Sequence, residues 1–278
     1  MNKQLLELST GAKLASYRTS PIRATNQTAD VSRVMKGGSM RKLSLLVLGA
    51  AFTLCPLATA QPQSSVYLGS AGSYAVLAGS TVTNTGLTVV NGNLGVWAGT
   101  AVTGFGPGVV NGTEDAGDVA AQHAQASLNI AYNDAAGRTS IATNKVAGDL
   151  SGLTLTPGLY KSTSSLSLSG TLTLHGSGVY IFQIASGLTV GTGGRVVLSG
   201  GANSANIFWQ VGSSATFGTT SDFKGTVLAL TSISLATGAR LDGRALAQHG
   251  AVTLETNSVT VPLQNTVLVV LPPTPVRD

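Results

Sequence analysis

Apolar and small polar residues alternate in short runs along most of the chain after residue 60. In the segment SGLTV at 186–190, Leu188 and Val190 flank Thr189. Successive side chains of a strand point to opposite faces, so this pattern predicts a short strand that buries the two apolar residues and exposes the threonine. The same inward pair is predicted at three further places: Ala215 and Phe217, Ile233 and Leu235, and Val252 and Leu254.

These runs repeat at nearly constant intervals. Residues 79–92, GSTVTNTGLTVVNG, return at 99–112 as GTAVTGFGPGVVNG, a spacing of 20. The segment IFQIASGLTVGT at 181–192 aligns without gaps with FWQVGSSATFGT at 208–219, and related segments follow at spacings of 18 and 19. Short strands with glycine-rich corners at such a period are typical of solenoids. We therefore predict a mainly β fold, a right-handed β-solenoid (β-helix) of about six coils.

One segment has helical rather than strand spacing. Residues 117–137 are rich in alanine and carry apolar residues on one face of a helix. These apolar positions are Ala121, Ala124, Leu128, Ala131, Tyr132 and Ala135. We predict one long α-helix near 115–137, of about five turns, packed along the side of the solenoid. Thr113 or Asp115 would cap its start and Gly137 its end.

The first 60 residues differ from this pattern. Residues 40–60 have two basic residues, an apolar run and a small Ala58-Thr59-Ala60 end, which is the pattern of a secretory signal peptide cleaved after Ala60. The apolar run, Leu43 to Leu54, is too short to span a bilayer. We therefore expect a secreted, extracellular protein. The predicted segments are an upstream extension, expected to be disordered, at 1–39, the signal peptide at 40–60, the solenoid domain at 61–265 and a C-terminal tail at 266–278.

The charge balance changes once the signal segment is set apart. The chain has 16 Lys and Arg and 11 Asp and Glu, of which eight basic and two acidic residues lie in residues 1–60. The remainder has eight basic and nine acidic residues, so its formal charge is −1 rather than the +5 of the whole chain. This balance argues against nucleic acid as a partner, and against a membrane once the signal is removed. The single cysteine, Cys55, also lies in the signal segment.

Groups with catalytic or metal-binding potential are few. Asp222 and Asp242 are 20 residues apart, as are Lys224 and Arg244, so stacked coils would bring two acids together beside two bases. A structural ion-pair ladder is the favoured interpretation, with a calcium or catalytic cluster as the alternative. The three histidines have no ligand spacing. We therefore expect no catalytic residue, no metal and no cofactor.

Threonine dominates the predicted outward positions. Stacking the strands would align one hydroxyl residue from each of them into a strand column on one surface of the solenoid. The members of this strand column are Thr83, Thr103, Thr154, Thr189, Thr216, Ser234 and Thr253. A corner column lies three residues further on, at Thr192, Thr219, Thr237 and Thr256. A lone threonine on a strand is ordinary, but a column of threonines among small, uncharged neighbours is a candidate binding surface.

Several segments, in this order, resemble the secreted ice-binding (antifreeze) proteins of bacteria, fungi and algae, over about residues 66–262. They include GSYAVLAGSTVTNTG, AQASLNIAYNDAAGR, VYIFQIASGLTV and NIFWQVGSSATFGT. Members of that family share a T-(A/G)-x-(T/N) motif on a flat ice-binding face. Thr85-Gly86-Leu87-Thr88 and Thr100-Ala101-Val102-Thr103 fit the motif completely, which adds Thr85, Thr88 and Thr100 to the candidate residues.

The resemblance implies a discontinuous β-solenoid with a parallel helix, and a non-enzymatic protein that binds ice and gives thermal hysteresis and inhibition of recrystallisation. We expect it to be a monomer. Stacked strands lie about 4.8 Å apart and alternate strand residues about 6.6–7 Å apart, spacings of the same order as ice-lattice repeats. Two alternatives stay open from the sequence: a carbohydrate-active β-helix enzyme (a polysaccharide lyase or hydrolase) and a cell-surface adhesion solenoid.

Overall fold

The short alternating runs form parallel β-strands in the computed structural model, which describes residues 62–140 and 143–263. The predictions for residues 1–39, 40–60 and 266–278 lie outside the described residues. The elements up to the helix are β1 (Tyr74–Ala78), β2 (Thr81–Thr85), β3 (Val89–Asn91), β4 (Asn93–Val96), β5 (Ala101–Thr103), β6 (Val109–Asn111), β7 (Glu114–Ala116) and α1 (Val119–Gly137).

The strands that follow the helix are formed by the same short alternating runs in successive coils. They are β8 (Asn144–Lys145), β9 (Gly148–Asp149), β10 (Thr154–Leu155), β11 (Gly158–Ser162), β12 (Leu166–Leu168), β13 (Thr171–His175), β14 (Tyr180–Ile184), β15 (Leu188–Val190), β16 (Arg195–Ser199), β17 (Ile207–Val211), β18 (Ala215–Phe217), β19 (Asp222–Ala229), β20 (Ile233–Leu235), β21 (Arg240–Ala247), β22 (Val252–Glu255) and β23 (Ser258–Thr260). Two short 3-10 helices, Gly69–Ser73 and Ser204–Asn206, complete the described elements.

The strands lie on three sides of the solenoid. The flat sheet has eight strands in the order β5-β2-β22-β20-β18-β15-β12-β9, compared with the predicted six or so coils. The helix side, which α1 covers, contains β1, β11, β14, β17 and the C-terminal halves of β19 and β21. The third side contains β3, β6, β10, β13, β16, β23 and the N-terminal halves of β19 and β21.

The coils are not stacked in the order of the sequence. Strand β2 pairs with β22, so that Thr83 lies beside Thr253, 170 residues away along the chain. Strands β1 and β3 likewise pair with β21 and β23, and β5 and β6 form one end of the stack. The helix returns the chain to the other end, from which β9 to β22 lead back toward β2. The predicted β-solenoid with one lateral helix is confirmed, and the break in coil order is the discontinuity that the resemblance implied.

The helix begins slightly later than predicted. It spans 19 residues from Val119, and the Asp118 side chain caps it by accepting a hydrogen bond from the Ala121 N–H (2.8 Å). The prediction that Thr113 or Asp115 caps the helix was therefore wrong. Both side chains lie before it, where Tyr74 Oη and Thr113 Oγ1 donate to Asp115 Oδ2 at 2.6 and 2.9 Å. The helix ends at Gly137, as predicted, but the residue in the C-cap position is Arg138 and not Gly137.

Small apolar residues and glutamine amides fasten the helix to the solenoid. The six residues of the predicted apolar stripe are all buried, most of them against strands of the helix side. Beyond them, Gln183 Nε2 donates to the carbonyls of Ala135 (2.9 Å) and Arg138 (2.8 Å). Carbonyls at a helix C-terminus have no partner within the helix, so this amide satisfies groups that water would otherwise have to reach. Gln210 Nε2 similarly donates to Tyr132 Oη (2.9 Å).

The interior consists of the predicted inward pairs. Each of their eight side chains is at most 1% exposed, which confirms the inward assignment. Aromatic rings stack in the same core, where the ring centroid of Phe182 lies 5.0 Å from that of Tyr160 and 3.8 Å from that of Trp209. A core packed in this way holds the strands of all three sides in one fixed arrangement.

Candidate functional site

The outward residues of the flat sheet form one continuous row. Pairing is in register across all eight strands, so that one outward residue of each strand stands beside that of the next. In spatial order these residues are Thr103, Thr83, Thr253, Ser234, Thr216, Thr189 and Ser167, followed by Asp149. We call the seven hydroxyl residues the hydroxyl row. Six of them are members of the predicted strand column, whose alignment is thereby confirmed.

The hydroxyl row stands above a buried layer. Thr189, for example, is exposed between Leu188 and Val190, each of which is 1% exposed. Thr83 Oγ1 lies 3.4 Å from Thr253 Oγ1 and donates to it, so neighbouring hydroxyls are within reach of one another. Because the backbone ladder sets a spacing of about 4.8 Å between strands, the methyl and hydroxyl groups are held in a regular array.

Small residues flank the hydroxyl row on both sides. Two positions before or after its members lie Ser214, Ser232, Ala251, Gly191, Gly218 and Ala236. At Gly218 the reason is steric, since a Cβ added there would meet backbone atoms of the next coil at 2.7 Å. Gly218 N also donates to the Val190 carbonyl (2.8 Å), which keeps the two coils in register. Beside these small residues, the hydroxyl row stands on a flat surface.

Two carboxylates also lie on the strands of the flat sheet. Glu255 is exposed, stands in register with Thr85, and accepts a hydrogen bond from Thr237 Oγ1 (3.0 Å). Asp149 continues the hydroxyl row at its β9 end. Neither acid was predicted on this surface, and Ser167 was not predicted there either. The Leu166-Ser167-Leu168 alternation was the signal that could have found the serine.

Asp149 is held in its charged form by its neighbours. The hydroxyls of Ser151 and Ser169 donate to its carboxylate, as do the backbone N–H groups of the same two residues, at 3.0 and 3.1 Å. These hydrogen bonds hold the pKa of Asp149 well below its ordinary value. The uncharged array therefore ends at Ser167, because the next residue carries an ionised and strongly hydrated group.

The corner column is aligned as well, at the turns that follow the flat-sheet strands. Its four threonines are exposed, and backbone hydrogen bonds join neighbouring turns. Thr220 N donates to the Thr237 carbonyl (3.1 Å), and Thr256 N to the Thr85 carbonyl (2.8 Å). Thr256 has a left-handed φ of 51°, which is unusual for a β-branched residue. The corner column thus borders one edge of the flat sheet, and its role in binding stays a prediction.

Two predicted residues lie elsewhere. Thr154 belongs to β10 and pairs with Thr173 on the third side, so its assignment to the strand column was wrong. A corner at Gly152, with a φ of 79°, follows β9 in this coil, so the Leu-Thr pair after the corner lies on the third side. Thr88 is fully buried, where it accepts from Asn257 N (3.0 Å) and donates to the Asn84 amide oxygen. Thr88 fastens two coils together and cannot touch an external surface.

The other two motif threonines are exposed near the flat sheet. Thr85 is the last residue of β2, and Thr100 directly precedes β5. Both therefore lie at borders of the hydroxyl row rather than within it. Both lie near the flat sheet, as the motif implies, but the strand pairing does not align them with the members of the hydroxyl row.

The charged residues singled out in the sequence stack in a different register from the one expected. Strands β19 and β21 pair with a spacing of 18, which places Asp222 beside Arg240 and Lys224 beside Asp242. The expectation of acid stacked on acid was therefore wrong. Within residues 62–140 and 143–263, no three His, Cys, Asp or Glu side chains come together as metal ligands. In the same residues, no helix is long and apolar enough to cross a membrane.

A flat hydroxyl-bearing sheet on a rigid solenoid, with one lateral helix, defines a class of surface-binding protein. The chain belongs to the ice-binding-like family, whose model matches residues 76–260. An ice-binding protein of Nostoc sp. (strain HG1) is 46% identical over 226 residues, which cover 79% of this chain and 82% of the relative. Ice-binding protein K3-B1 of Typhula ishikariensis is 35% identical over 217 residues, which cover 70% of this chain and 89% of the relative.

Solved structures agree with this assignment. The crystal structure of an ice binding protein from an Antarctic biological consortium matches with a TM-score of 0.73 and 52% identity, over 76% of this chain and 97% of that one. The ice-binding protein of Antarctomyces psychrotrophicus matches with a TM-score of 0.69 and 38% identity, over 73% of this chain and all of the other. The fold predicted from the sequence is therefore that of its family.

Proposed function

We propose that this protein binds ice crystals through the flat sheet, with the hydroxyl row at the centre of the site. One observation carries the proposal: seven Thr and Ser residues stand in unbroken register across seven neighbouring strands. A lone outward threonine is an ordinary strand residue. A regular array of this length, flanked by small residues, matches a repeating target, and an ice crystal is such a target.

The array would work by ordering water. Threonine offers a methyl group and a hydroxyl, which together can hold water molecules in an ice-like layer that merges with a crystal plane. Charged side chains keep their own hydration shell, so their scarcity on this surface favours such a layer. The array must also be rigid before ice arrives, because ordering mobile groups on binding costs free energy. The close-packed core beneath the sheet provides this rigidity.

Adsorption explains the expected activity without catalysis. Bound protein would force ice to grow as curved fronts between adsorbed molecules, which lowers the local freezing point and slows recrystallisation. The protein makes and breaks no covalent bond in this process and needs no cofactor. A monomer suffices, since one solenoid presents the whole hydroxyl row.

We also propose that the protein acts outside the cell. The signal-peptide pattern of residues 40–60, cleaved after Ala60, supports this location. Ice forms in the surrounding water, so a secreted protein would meet its target there, without a nucleic-acid or membrane partner. Mass spectrometry of the protein in the culture medium would test the cleavage site, and an intact chain retained in cells would contradict it.

Microscopy of a single small ice crystal tests the proposed function. In a solution of the purified protein held just below the melting point, the crystal is expected to develop facets and stop growing. Bovine serum albumin at the same mass concentration serves as the control. A crystal that grows freely and stays round in the purified protein would reject ice binding.

A further inference from the structure

Arg244 is the only buried charged side chain of the described residues, with 2% of its surface exposed. It lies in β21, beneath the chain segment that leads into β1. Its Nε donates to the Gly72 carbonyl (2.9 Å) and its Nη1 to Thr226 Oγ1 (3.1 Å). Two neutral acceptors on different elements thus fix the orientation of the guanidinium group.

Among residues 62–140 and 143–263, no carboxylate pairs with this buried charge. The ion pairs within the described residues are Arg138 with Asp134 and Lys224 with Asp222, and Arg244 takes part in neither. Burial lowers the pKa of Arg244 to about 10, so the group still carries its charge at neutral pH. Taking an ion out of water costs free energy, which an opposite charge normally offsets. A fixed guanidinium without a counter-charge therefore lowers the stability of the fold, and a bound anion would offset this loss.

A cavity lies next to this group. Its volume is about 370 Å³, and its walls include Arg244, Ser65, Val66, Tyr67, Leu68 and Phe208. Within the described residues, Arg244 Nη2 makes no hydrogen bond, and Arg244 is one of the residues that line the cavity. The free N–H groups of the guanidinium are thus within reach of a molecule in the cavity.

We propose that this cavity binds the carboxylate of a small organic acid, to which Arg244 donates from its free N–H groups. The planar fork of a guanidinium matches the two oxygens of a carboxylate. The apolar walls, among them Leu68 and Phe208, favour an acid with an apolar body over an inorganic anion. The cavity is not part of the flat sheet, so this site does not depend on ice binding.

Calorimetric titration with two probes, at a temperature above freezing, tests the proposal. Benzoate is expected to bind with saturable, one-to-one stoichiometry and more tightly than inorganic phosphate. In Arg244→Met, benzoate affinity is expected to fall about tenfold or more, because a charged hydrogen bond is lost. Arg240→Met is the matched control, since Arg240 is exposed on the same strand, and it should bind benzoate as the unmodified protein does.

A second variant keeps the test decisive if Arg244→Met does not fold. Ser65→Trp would fill the cavity while leaving the guanidinium in place, and it is expected to abolish benzoate binding. The proposal is overturned if benzoate does not saturate the unmodified protein, or if it binds Ser65→Trp unchanged. Tighter binding of phosphate than of benzoate would overturn the assignment to a carboxylate. Ice shaping is expected to persist in Ser65→Trp, so a negative titration leaves the proposed function untouched.

Discussion

The flat sheet and the third side are built from the same coils but present different chemistry. Both are parallel ladders above one core. The flat sheet carries the hydroxyl row among small residues. The third side instead carries a row in which Arg195, Asp222 and Arg240 stand side by side, and a second row with Lys224 beside Asp242. Lys224 Nζ and Asp222 Oδ1 lie 2.8 Å apart in an ion pair.

Under the proposed assignment of the flat sheet, strand spacing alone does not make an ice-binding surface. Both sides have the spacing of a parallel sheet, about 4.8 Å between strands. On the third side, alternating charges hold their own hydration shells and pair with one another. On the flat sheet, uncharged hydroxyl and methyl groups leave the adjacent water free to adopt the order of an ice crystal. Under the same assignment, the outward side chains of each coil, and not the strand spacing, distinguish the binding surface from the third side.

The largest predicted effect concerns the core that the two sides share. Phe217 lies beneath the flat sheet and Phe223 beneath the third side, both at most 1% exposed and with ring centroids 5.0 Å apart. Phe217→Ala and Phe223→Ala are each expected to lower the free energy of unfolding by about 3–5 kcal/mol in urea denaturation, since each leaves a cavity. Val197→Ala, at a 40% exposed position, is the control and should cost little. A near-neutral Phe223→Ala would show that the third side does not depend on the common core.

A smaller effect is expected from the carboxylate on the flat sheet. Glu255→Thr replaces an exposed, hydrated charge with the residue type of the hydroxyl row, so thermal hysteresis should rise slightly. Asp242→Thr makes the same kind of change on the third side and should leave thermal hysteresis unchanged. An equal rise in both variants would indicate that net charge, rather than the surface that carries it, controls the activity.

The smallest predicted effect is a pH dependence of stability at the end of the hydroxyl row. The hydrogen bonds to Asp149 lower its pKa in the folded protein below the unfolded value of about 3.9. They therefore stabilise the fold above that pH, and this contribution is lost as the pH falls toward the folded pKa. Asp149→Asn should be less stable than the unmodified protein at neutral pH, and the difference should shrink below about pH 4. A difference that is constant from pH 7 to pH 2 in thermal unfolding would contradict this role.

The sequence predicted the local faces well because alternation is a local property. In SGLTV and its repeats, the inward residues can be predicted from the neighbouring positions alone. The register of Thr189 with Thr216 confirms this prediction. Thr154 was misplaced because an apolar residue followed by threonine also occurs after the corner of its coil, where it belongs to another side. Asp149 was missed because the prediction considered only threonine and serine at outward strand positions and no other residue type.

The order of the coils could not be predicted in the same way. Alternation does not show which coils are neighbours, and the contact between Thr83 and Thr253 joins two coils that are 170 residues apart along the chain. Likewise, the spacing of 20 between Asp222 and Asp242 suggested stacking, whereas the backbone pairs at a spacing of 18. Both outcomes depend on long-range packing, which a repeat length near 20 leaves undetermined.

Thermal hysteresis of matched tyrosine variants tests the central claim most directly. Thr103→Tyr and Thr216→Tyr place a bulky ring in the hydroxyl row, while Thr173→Tyr places the same ring on the third side. We predict that both flat-sheet variants lose most of the thermal hysteresis, that Thr173→Tyr retains it, and that all three keep the circular dichroism spectrum of the unmodified protein. Unchanged thermal hysteresis in both Thr103→Tyr and Thr216→Tyr would contradict the assignment of the flat sheet as the ice-binding surface.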